Sequence, residues 1–514
     1  MTPGPAAFNA CDYLLDRHIR EGRGDKLALT GVAGDVSYAE LAGRVAHAAR
    51  GLRGLGLQAE QRVVMVMADS PEFVVVYLAA MRIGAVPVPI STMLRADGIA
   101  EILADSRARV VAVSAAYRDV VTAALGFPGV TEVMAVVIDG VLADAEDESD
   151  DIYPTTADSP AFWLYTSGTT GTPKGAMHRH GSVRVVCETY GAQVLGITPE
   201  DRCLSAAKAF FAYGLGNSVL FPMSAGAAAV LEPAPARPEI MAERAGKYAA
   251  TLFFAGPTFF AGMLRAGLPA DALAGVRLAA SAGEALPAAL YQRWTSQFGV
   301  DILDGIGMTE MLHIFLSNRP GQVRAGTTGS AVPGYDLRVL DEDAREVPPG
   351  TPGTLWFKPG STFRYFDDVE KTAESTSPDG SMVTVGDLGY LDGDGYLYLT
   401  DRATFMIISG VNIYPQECEN LLITHPKVAD AAVFGVPNED LGEEVKAVVQ
   451  LMPGFDPGPG TAAELIAFCR DHLAHLKCPR SVDFTGQLPR LPTGKLYKKP
   501  LRDAYWGQSR SRIV

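Results

Sequence analysis

At 514 residues the chain is longer than one hydrophobic core organises, so roughly two to four structural units are expected. Its 48% apolar and 20% charged residues are an ordinary soluble composition, and 44 basic against 59 acidic residues, a formal charge of −15, exclude nucleic acid or an anionic membrane as a general partner. An anionic ligand must therefore meet local positive sites. The first elements alternate. A helix is expected from Ala7 to about Arg23, a strand at Leu27 to Thr30, a helix from Tyr38 to Leu55, a strand at Arg62 to Met67, a helix from Pro71 to Ile83 and a strand at Pro87 to Pro89. The pattern resumes at Ile99 to Ala104 and Val110 to Ser114, and such alternation implies parallel βαβ units covered on both faces.

The acidic run Val141 to Asp151 reads as a solvated loop. After a short apolar strand, Ala161 to Leu164, comes YTSGTTGTPKG, Tyr165 to Gly175. A helix near Ser182 to Leu195, a strand near Arg202 to Ser205 and the loop KAFFAYGLGN follow. Pro233 to Pro238 reads as a stiff surface connection, and strand Ala250 to Phe254 and helix Pro257 to Leu264 lead to strand Arg277 to Ser281. Beyond Arg319 short strands punctuated by Gly and Pro argue for a small antiparallel barrel or sheet. After Arg402 helices return at Pro415 to Thr424 and Thr461 to His475, around strands Val428 to Val436 and Val445 to Leu451. The six cysteines have no CxxC pairing, which suits reduced thiols in a cytoplasm. The start, MTPGPAAFNA, lacks a signal-peptide pattern, and the apolar stretch Ser205 to Leu231 is too broken by Lys208, Asn217, Pro222 and glycines for a membrane span.

YTSGTTGTPKG carries the chemistry. Thr166, Ser167, Thr169, Thr170 and Thr172 offer hydroxyl donors, Gly168, Gly171 and Gly175 let the backbone turn its N–H groups inward, and Lys174 supplies a cation. Together they suit a phosphate. A Walker A loop is excluded, because Pro173 stands where its second glycine belongs and Gly175 follows the lysine. A Ser/Thr/Gly-rich surface turn is the bland alternative.

The loop resembles the signature of the adenylate-forming superfamily, which holds acyl- and aryl-CoA ligases, luciferases and the adenylation domains of peptide synthetases. Further segments match that superfamily in order, across nearly the whole chain. The resemblance implies an α/β fold with a large N-terminal domain of βαβ-layered sheets, residues 1–401. It carries a small β-barrel-like subdomain at about 320–401, and a small mobile α+β domain follows at 402–514. It implies ATP and Mg²⁺ as cofactors and coenzyme A as co-substrate. On SAGEALP, Gly283, Glu284 and Ala285 would close over the adenosine. On DGIGMTEMLHIFLSN, Asp304, Gly305 and Ile306 would contact the nucleotide, Thr309 the α-phosphate, and the Glu310 carboxylate Mg²⁺. Ile306 stands where most relatives have Tyr or Trp, so adenine would pack on an aliphatic face. On VGDLGYLDGDGYLYLTDR, Asp387 would accept both ribose hydroxyls and Arg402 would lie beside them. The hinge between the domains falls on Thr404, in place of the usual Asp or Lys. ISGVNIYP, with Ser409 and Gly410, matches the lining of the thiol tunnel but is one glycine shorter than the commonest form. In LPTGKLYKK, Lys495 would bridge the acid carboxylate and the α-phosphate, removing their repulsion as charge gathers on phosphorus.

The narrowest resemblance is to benzoate-type CoA ligases, through AAKAFFAYGLGNSVLFP, SAGEALP and DGIGMTEMLHIFLSNRPG. It places Ala212 and Tyr213 on one side of a flat acyl ring and Ile306, Gly307 and His313 on the other. An interior histidine packed for its own sake is the alternative for His313. The C-terminal DRATFMIISGVNIYPQE looks more like fatty-acid-type acyl-CoA synthetases, which keeps a medium-chain or alicyclic acid as the second reading. The expectation is an AMP-forming acid–thiol ligase acting on a small aromatic carboxylic acid. Two rivals stand beside it: an adenylation module loading a carrier protein, with Lys477 and Arg480 the candidate cations for CoA, and an inactive binding protein. A homodimer is left open.

Overall fold

A computed structural model describes residues 6–142, 151–167, 173–283, 286, 288–341, 344–358, 364–365, 376–377, 381–384, 387–402, 406–408, 411–413, 415–438, 442–489 and 498–506. The large N-terminal domain is built on a nine-stranded sheet. Its order is Ser330–Ala331, Ile314–Ser317, Ile302–Gly307, Leu278–Ser281, Leu252–Ala255, Arg202–Ser205, Ala228–Leu231, Leu27–Gly31, Val36–Ser37. The strands from Ile302–Gly307 to Leu27–Gly31 pair in parallel, and the outer ones at each end are antiparallel. A second sheet is wholly parallel, in the order Val86–Pro89, Arg62–Val66, Val110–Val113, Ala135–Ile138. These strands read as unbroken apolar runs because both faces are covered, and Ala228–Leu231, Leu252–Ala255 and Leu278–Ser281 are buried throughout.

The helix Pro71–Arg82 shows why the two sheets form one core. Apart from Glu72 every residue in it is buried, and Phe73 and Tyr77 belong to the same apolar cluster as Leu29, Val63, Phe162 and Phe221. Proline at its first position needs no N–H partner there, and Arg82 pairs with Asp16 at 2.8 Å near its end. The helix Tyr38–Gly54 opens on a capping box: the Ser37 hydroxyl accepts from Glu40 N–H, and the Glu40 carboxylate accepts from Ser37 N–H at 2.8 Å.

Two segments differ from the sequence reading. Residues 7–9 are not helical: Ala7 bridges to Thr156, and Asn9 is spent on Met81 O and Cys11 N–H, so the helical turns begin after it. The expected loop over KAFFAYGLGN is helical from Ala212 onwards, as Ala212–Leu215, Gly216–Leu220 and Phe221–Ala225 in succession. Its glycines, poor helix formers, are there because neighbours approach too closely for a side chain. A β-carbon on Gly214 would lie 2.0 Å from Lys208 O.

An antiparallel sheet follows, in the order Asp336–Leu340, Gly353–Lys358, Asp387–Leu391, Leu397–Arg402. The smaller C-terminal domain has a three-stranded sheet, Val428–Asn438, Gly442–Leu451 and Ser481–Phe484, packed on helices Pro415–Ile423 and Pro459–His472 around Cys418, Leu422, Val433, Ala447, Leu465 and Cys469. All six cysteines are buried and none is in a disulfide. Among the described residues no helix is long and apolar enough to cross a membrane.

Candidate active site

The signature stretch spans a hairpin. Strands Pro160–Ser167 and Pro173–Arg179 pair antiparallel, and the register sets Thr166 opposite Lys174 and Ser167 opposite Pro173. Gly168, Thr169, Thr170 and Gly171 lie outside the described residues. The hairpin is anchored from outside by the Tyr165 hydroxyl, which donates to Asp105 at 2.5 Å, and by the Arg62 guanidinium 5.2 Å from the Trp163 ring centre. Lys174 is half-buried on the second strand.

The same strand carries His178, which stacks on Phe162 at 4.9 Å and lies against the backbone of Thr309. Burial pushes the His178 imidazole down to about 3, with the Thr309 backbone pulling the other way. Thr309 and Glu310 form the start of the single turn Thr309–Met311, half-buried beside the hairpin strand. Lys174, Thr309 and Glu310, far apart in sequence, are thus on adjoining elements. Among the described residues no three His, Cys, Asp or Glu side chains gather as a metal cage. A dication here would depend on Glu310 together with oxygens of its nucleotide. That donor set suits Mg²⁺, which commonly takes one or two carboxylates plus substrate phosphates.

Ile302–Gly307 delivers the next group. Ser281, the last residue of its strand, and Asp304, within the next, are register partners on neighbouring parallel strands. Asp304 is 3% exposed, and burial raises its carboxyl well above the usual range although the Leu286 and Gly305 backbone and the Ser281 hydroxyl beside it act in the opposite sense. Among the described residues its Oδ1 has no hydrogen-bond partner. Gly283 follows at φ 95°, a conformation that favours glycine, while Glu284 and Ala285 lie outside the described residues. Gly305 and Gly307 let Ile314–Ser317 close on this strand, since β-carbons there would come within 2.8 Å of Leu316 O and 2.7 Å of His313 O. Ile306 is 4% exposed in an apolar cluster with Met311, Phe315, Leu337 and Phe357.

Of the residues expected around an acyl ring, Tyr213 and His313 meet and Gly307 lies against the His313 carbonyl, while Ile306 is packed in the separate cluster just described. Tyr213 and His313, a hundred positions apart, bring their rings to 5.4 Å, and His313 Nε2 lies 3.2 Å from Tyr213 O. Burial pushes the His313 imidazole down to about 3, the Tyr213 carbonyl acting against it, so the ring is neutral, Nε2–H donates and Nδ1 is a buried acceptor without a partner among the described residues. Phe221 meets it edge-on at 4.5 Å and Tyr190 at 5.4 Å. Gly216 has no room for a β-carbon, which would sit 2.3 Å from His313 Cδ2. The Tyr213 hydroxyl donates to Ala280 O at 2.8 Å, fixing the ring across the strand ends, and Ala212 is half-buried beside it. Tyr190, Phe221 and Gly216 were not singled out in the sequence. GLGN after the aromatic FFAY was the available signal, because repeated glycines in an apolar run mark close packing.

Asp387 and Arg402, expected on either side of one ribose, are direct cross-strand partners of Asp387–Leu391 and Leu397–Arg402. Met406–Ile408 and Val411–Ile413 flank Ser409 and Gly410, which with Thr404 and Lys495 lie outside the described residues. Of the two cations weighed for CoA, Lys477 is held by both oxygens of Glu417 at 2.7 and 2.8 Å, and Arg480 is exposed.

Comparison with known proteins places the chain in a family. The benzoate–CoA ligase of Thauera aromatica is 39% identical over 512 residues, 97% of each chain. The crystal structure of a benzoate CoA ligase from Burkholderia xenovorans LB400 superposes with a TM-score of 0.73 at 37% identity, covering 96% of this chain and 100% of that one. That of the anthranilate CoA ligase AuaEII in complex with anthranoyl-AMP gives 0.75 at 31% identity, covering 98% of each. The family descriptions that match are AMP-binding enzyme over residues 15–366 and AMP-binding enzyme C-terminal domain over 417–495. This chain belongs to the AMP-binding, adenylate-forming enzyme superfamily.

Proposed function

We propose that the chain is an ATP-dependent aryl-acid CoA ligase of the benzoate type, working through an acyl-adenylate. The observation that carries the aryl reading is the aromatic packing of Tyr213 and His313 at 5.4 Å, for which Gly216, having no β-carbon, leaves the imidazole room. Burying a phenyl ring of about 150 Å² at about 25 cal/mol/Å² is worth roughly 4 kcal/mol, enough to favour aryl acids over acetate.

In the first half-reaction a carboxylate oxygen attacks the α-phosphorus of ATP, forming the mixed anhydride as pyrophosphate leaves. Thr166, Ser167, Gly168, Thr169, Thr170, Gly171 and Lys174 would hold the phosphates, Thr309 the α-phosphate, and Lys495 the pair of reacting anions. Glu310 would hold Mg²⁺, which when bound neutralises phosphate charge. Asp304, whose Oδ1 is a buried acceptor without a partner among the described residues, would meet an amine donor of the adenine between Gly283–Ala285 and Gly305–Ile306. Asp387 and Arg402 would take the ribose. In the second half-reaction the CoA thiol, entering past Ser409 and Gly410, attacks the acyl carbon and releases AMP. The proposed domain boundary is 401/402, with rotation about Thr404 moving Lys495 out of the thiol's way. The unpaired cysteines support a cytoplasmic compartment.

The test is kcat/KM for benzoate, a para-substituted benzoate, hexanoate and acetate, read as pyrophosphate release and then as thioester. Apolar walls discriminate weakly, so the two benzoates should fall within about two decades of each other and acetate far behind. Ala212→Leu should penalise the bulkier ring more than benzoate. Hexanoate outrunning benzoate by about tenfold would sink the aryl assignment. Pyrophosphate release without thioester from free CoA would move the acceptor to a carrier protein.

A further inference from the structure

Asp69 takes no part in the chemistry above, yet it holds the segment that leads to Ala212 and Tyr213. It lies in the loop between Arg62–Val66, a strand of the four-stranded sheet, and the helix Pro71–Arg82, and is 4% exposed. Both its carboxylate oxygens face the N–H of Ala209, Oδ1 at 3.1 Å and Oδ2 at 3.3 Å. Ala209 belongs to the other sheet's connection after Arg202–Ser205. Beside it the Lys208 ammonium stands 4.0 Å from Asp69 Oδ2 and donates to the carbonyls of Glu232 at 2.5 Å and Ala234 at 2.6 Å. The turn that follows is tied to the same root: Phe211 N–H donates to Lys208 O at 3.0 Å, and Gly214 packs onto that carbonyl with no space for a β-carbon. Ala212 and Tyr213 sit within this turn. A carboxylate from a loop of one sheet therefore grips the backbone of the other's connection just before the proposed ring-facing residues.

The charges around the carboxylate are few. Burial lifts Asp69 to about 6, Lys208 and the Ala209 N–H pull it down, and Glu232 pushes it up. Glu232 is itself paired with Arg244 at 2.6 Å. Removing one member of a buried pair leaves the other charge uncompensated, which costs more than removing both.

We propose that Asp69, with Lys208, is a positioning residue for acid binding, its ionised carboxylate fixing the Lys208–Gly214 turn so that Ala212 and Tyr213 face the ring. The proposal rests on reading Ala212 and Tyr213 as acid-binding. It is tested on the full-length enzyme with Asp69→Asn, which keeps the shape, using the best acid substrate of the parent. The KM for the acid should rise about tenfold while kcat and the KM for ATP stay within about twofold. The parent's kcat/KM for the acid should fall below about pH 6, and this limb should be absent from Asp69→Asn. Lys208→Met, which removes the counter-charge, should move the limb to higher pH. The double variant, with no charge at either position, should be more stable to denaturant than Lys208→Met alone. A KM for ATP that rises in step with that for the acid, or an acid limb that persists in Asp69→Asn, overturns the proposal. If the parent prefers hexanoate and the split is seen with hexanoate, the aryl reading falls and the clamp stands. If the parent activates no acid, both fall.

Discussion

His313 is positioned by what its neighbours lack as much as by what they offer. Its Nε2–H is taken by the Tyr213 carbonyl at 3.2 Å, and Gly216 leaves the imidazole edge the space a methyl group would fill. Gly216→Ala must therefore push the imidazole against the surrounding rings or distort the helical turn, an overpacking that costs about 1 to 3 kcal/mol. The expected outcome is a 10- to 100-fold or so loss in kcat/KM for benzoate, with the KM for ATP unchanged in the same steady-state assay. Equal loss for both substrates would show a general folding defect. At this scale the residues proposed to hold phosphate stand out in the sequence because hydroxyls, glycines and a lysine within eleven positions have few other uses. The Tyr213 hydroxyl was not, since its acceptor, Ala280 O, is 67 residues away and backbone carbonyls leave no trace in a residue pattern.

The helix Pro71–Arg82 bears the load between the two parallel sheets. Phe73 is 1% exposed there, so Phe73→Ala should cost about 3 to 5 kcal/mol, read as a lowered midpoint in urea denaturation with an unchanged slope. The parallel strands were legible as elements because burial on both faces writes them as continuous apolar runs. The helical stretch Ala212–Leu215 through Phe221–Ala225 was not, because Gly214, Gly216 and Pro222 argue locally against a helix. Packing overrides propensity there: Gly214 is pressed on Lys208 O, Gly216 on His313, and Pro222 stands in the first turn of the last segment, where its missing N–H is harmless. Antiparallel register likewise exceeds what residue spacing can give, and it is register that sets Asp387 opposite Arg402.

Two properties belong to the whole molecule. The first is the proposed division of labour between domains. Lys495→Ala should slow acyl-adenylate formation by about 10² or more while leaving thioester formation from supplied adenylate nearly untouched. Thr404→Pro should do the reverse, fixing φ near roughly −65° so that adenylate accumulates. Single-turnover assays of each half-reaction separate the two, and equal losses in both steps would falsify the assignment. The second is acid sensitivity. His178, His180 and His313 are held neutral down to about 3, about 4 and about 3, below the unfolded value near 6.5, so below that pH the unfolded chain binds more protons. Their contribution to stability is full above about pH 6.5 and is lost as pH falls toward the folded values. Asp69, raised to about 6, acts oppositely, its penalty relaxing as pH falls from about 6 to about 4. His180→Gln should flatten the decline in denaturation free energy between about pH 6 and pH 4.5 by about 1.4 kcal/mol per pH unit. The six buried cysteines have a practical consequence. Burial pushes the Cys187 thiol up to about 12 and Cys478 to about 11, and Cys469, which the neighbouring Cys418 thiol shifts down, is 0% exposed, so a maleimide dye should fail to reach the six at neutral pH. A single cysteine introduced at exposed Ala123 on the large domain, with another at exposed Ala463 on the small one, would then carry the fluorophores alone, and the wild-type chain serves unaltered as the background for testing the proposed rotation of the small domain.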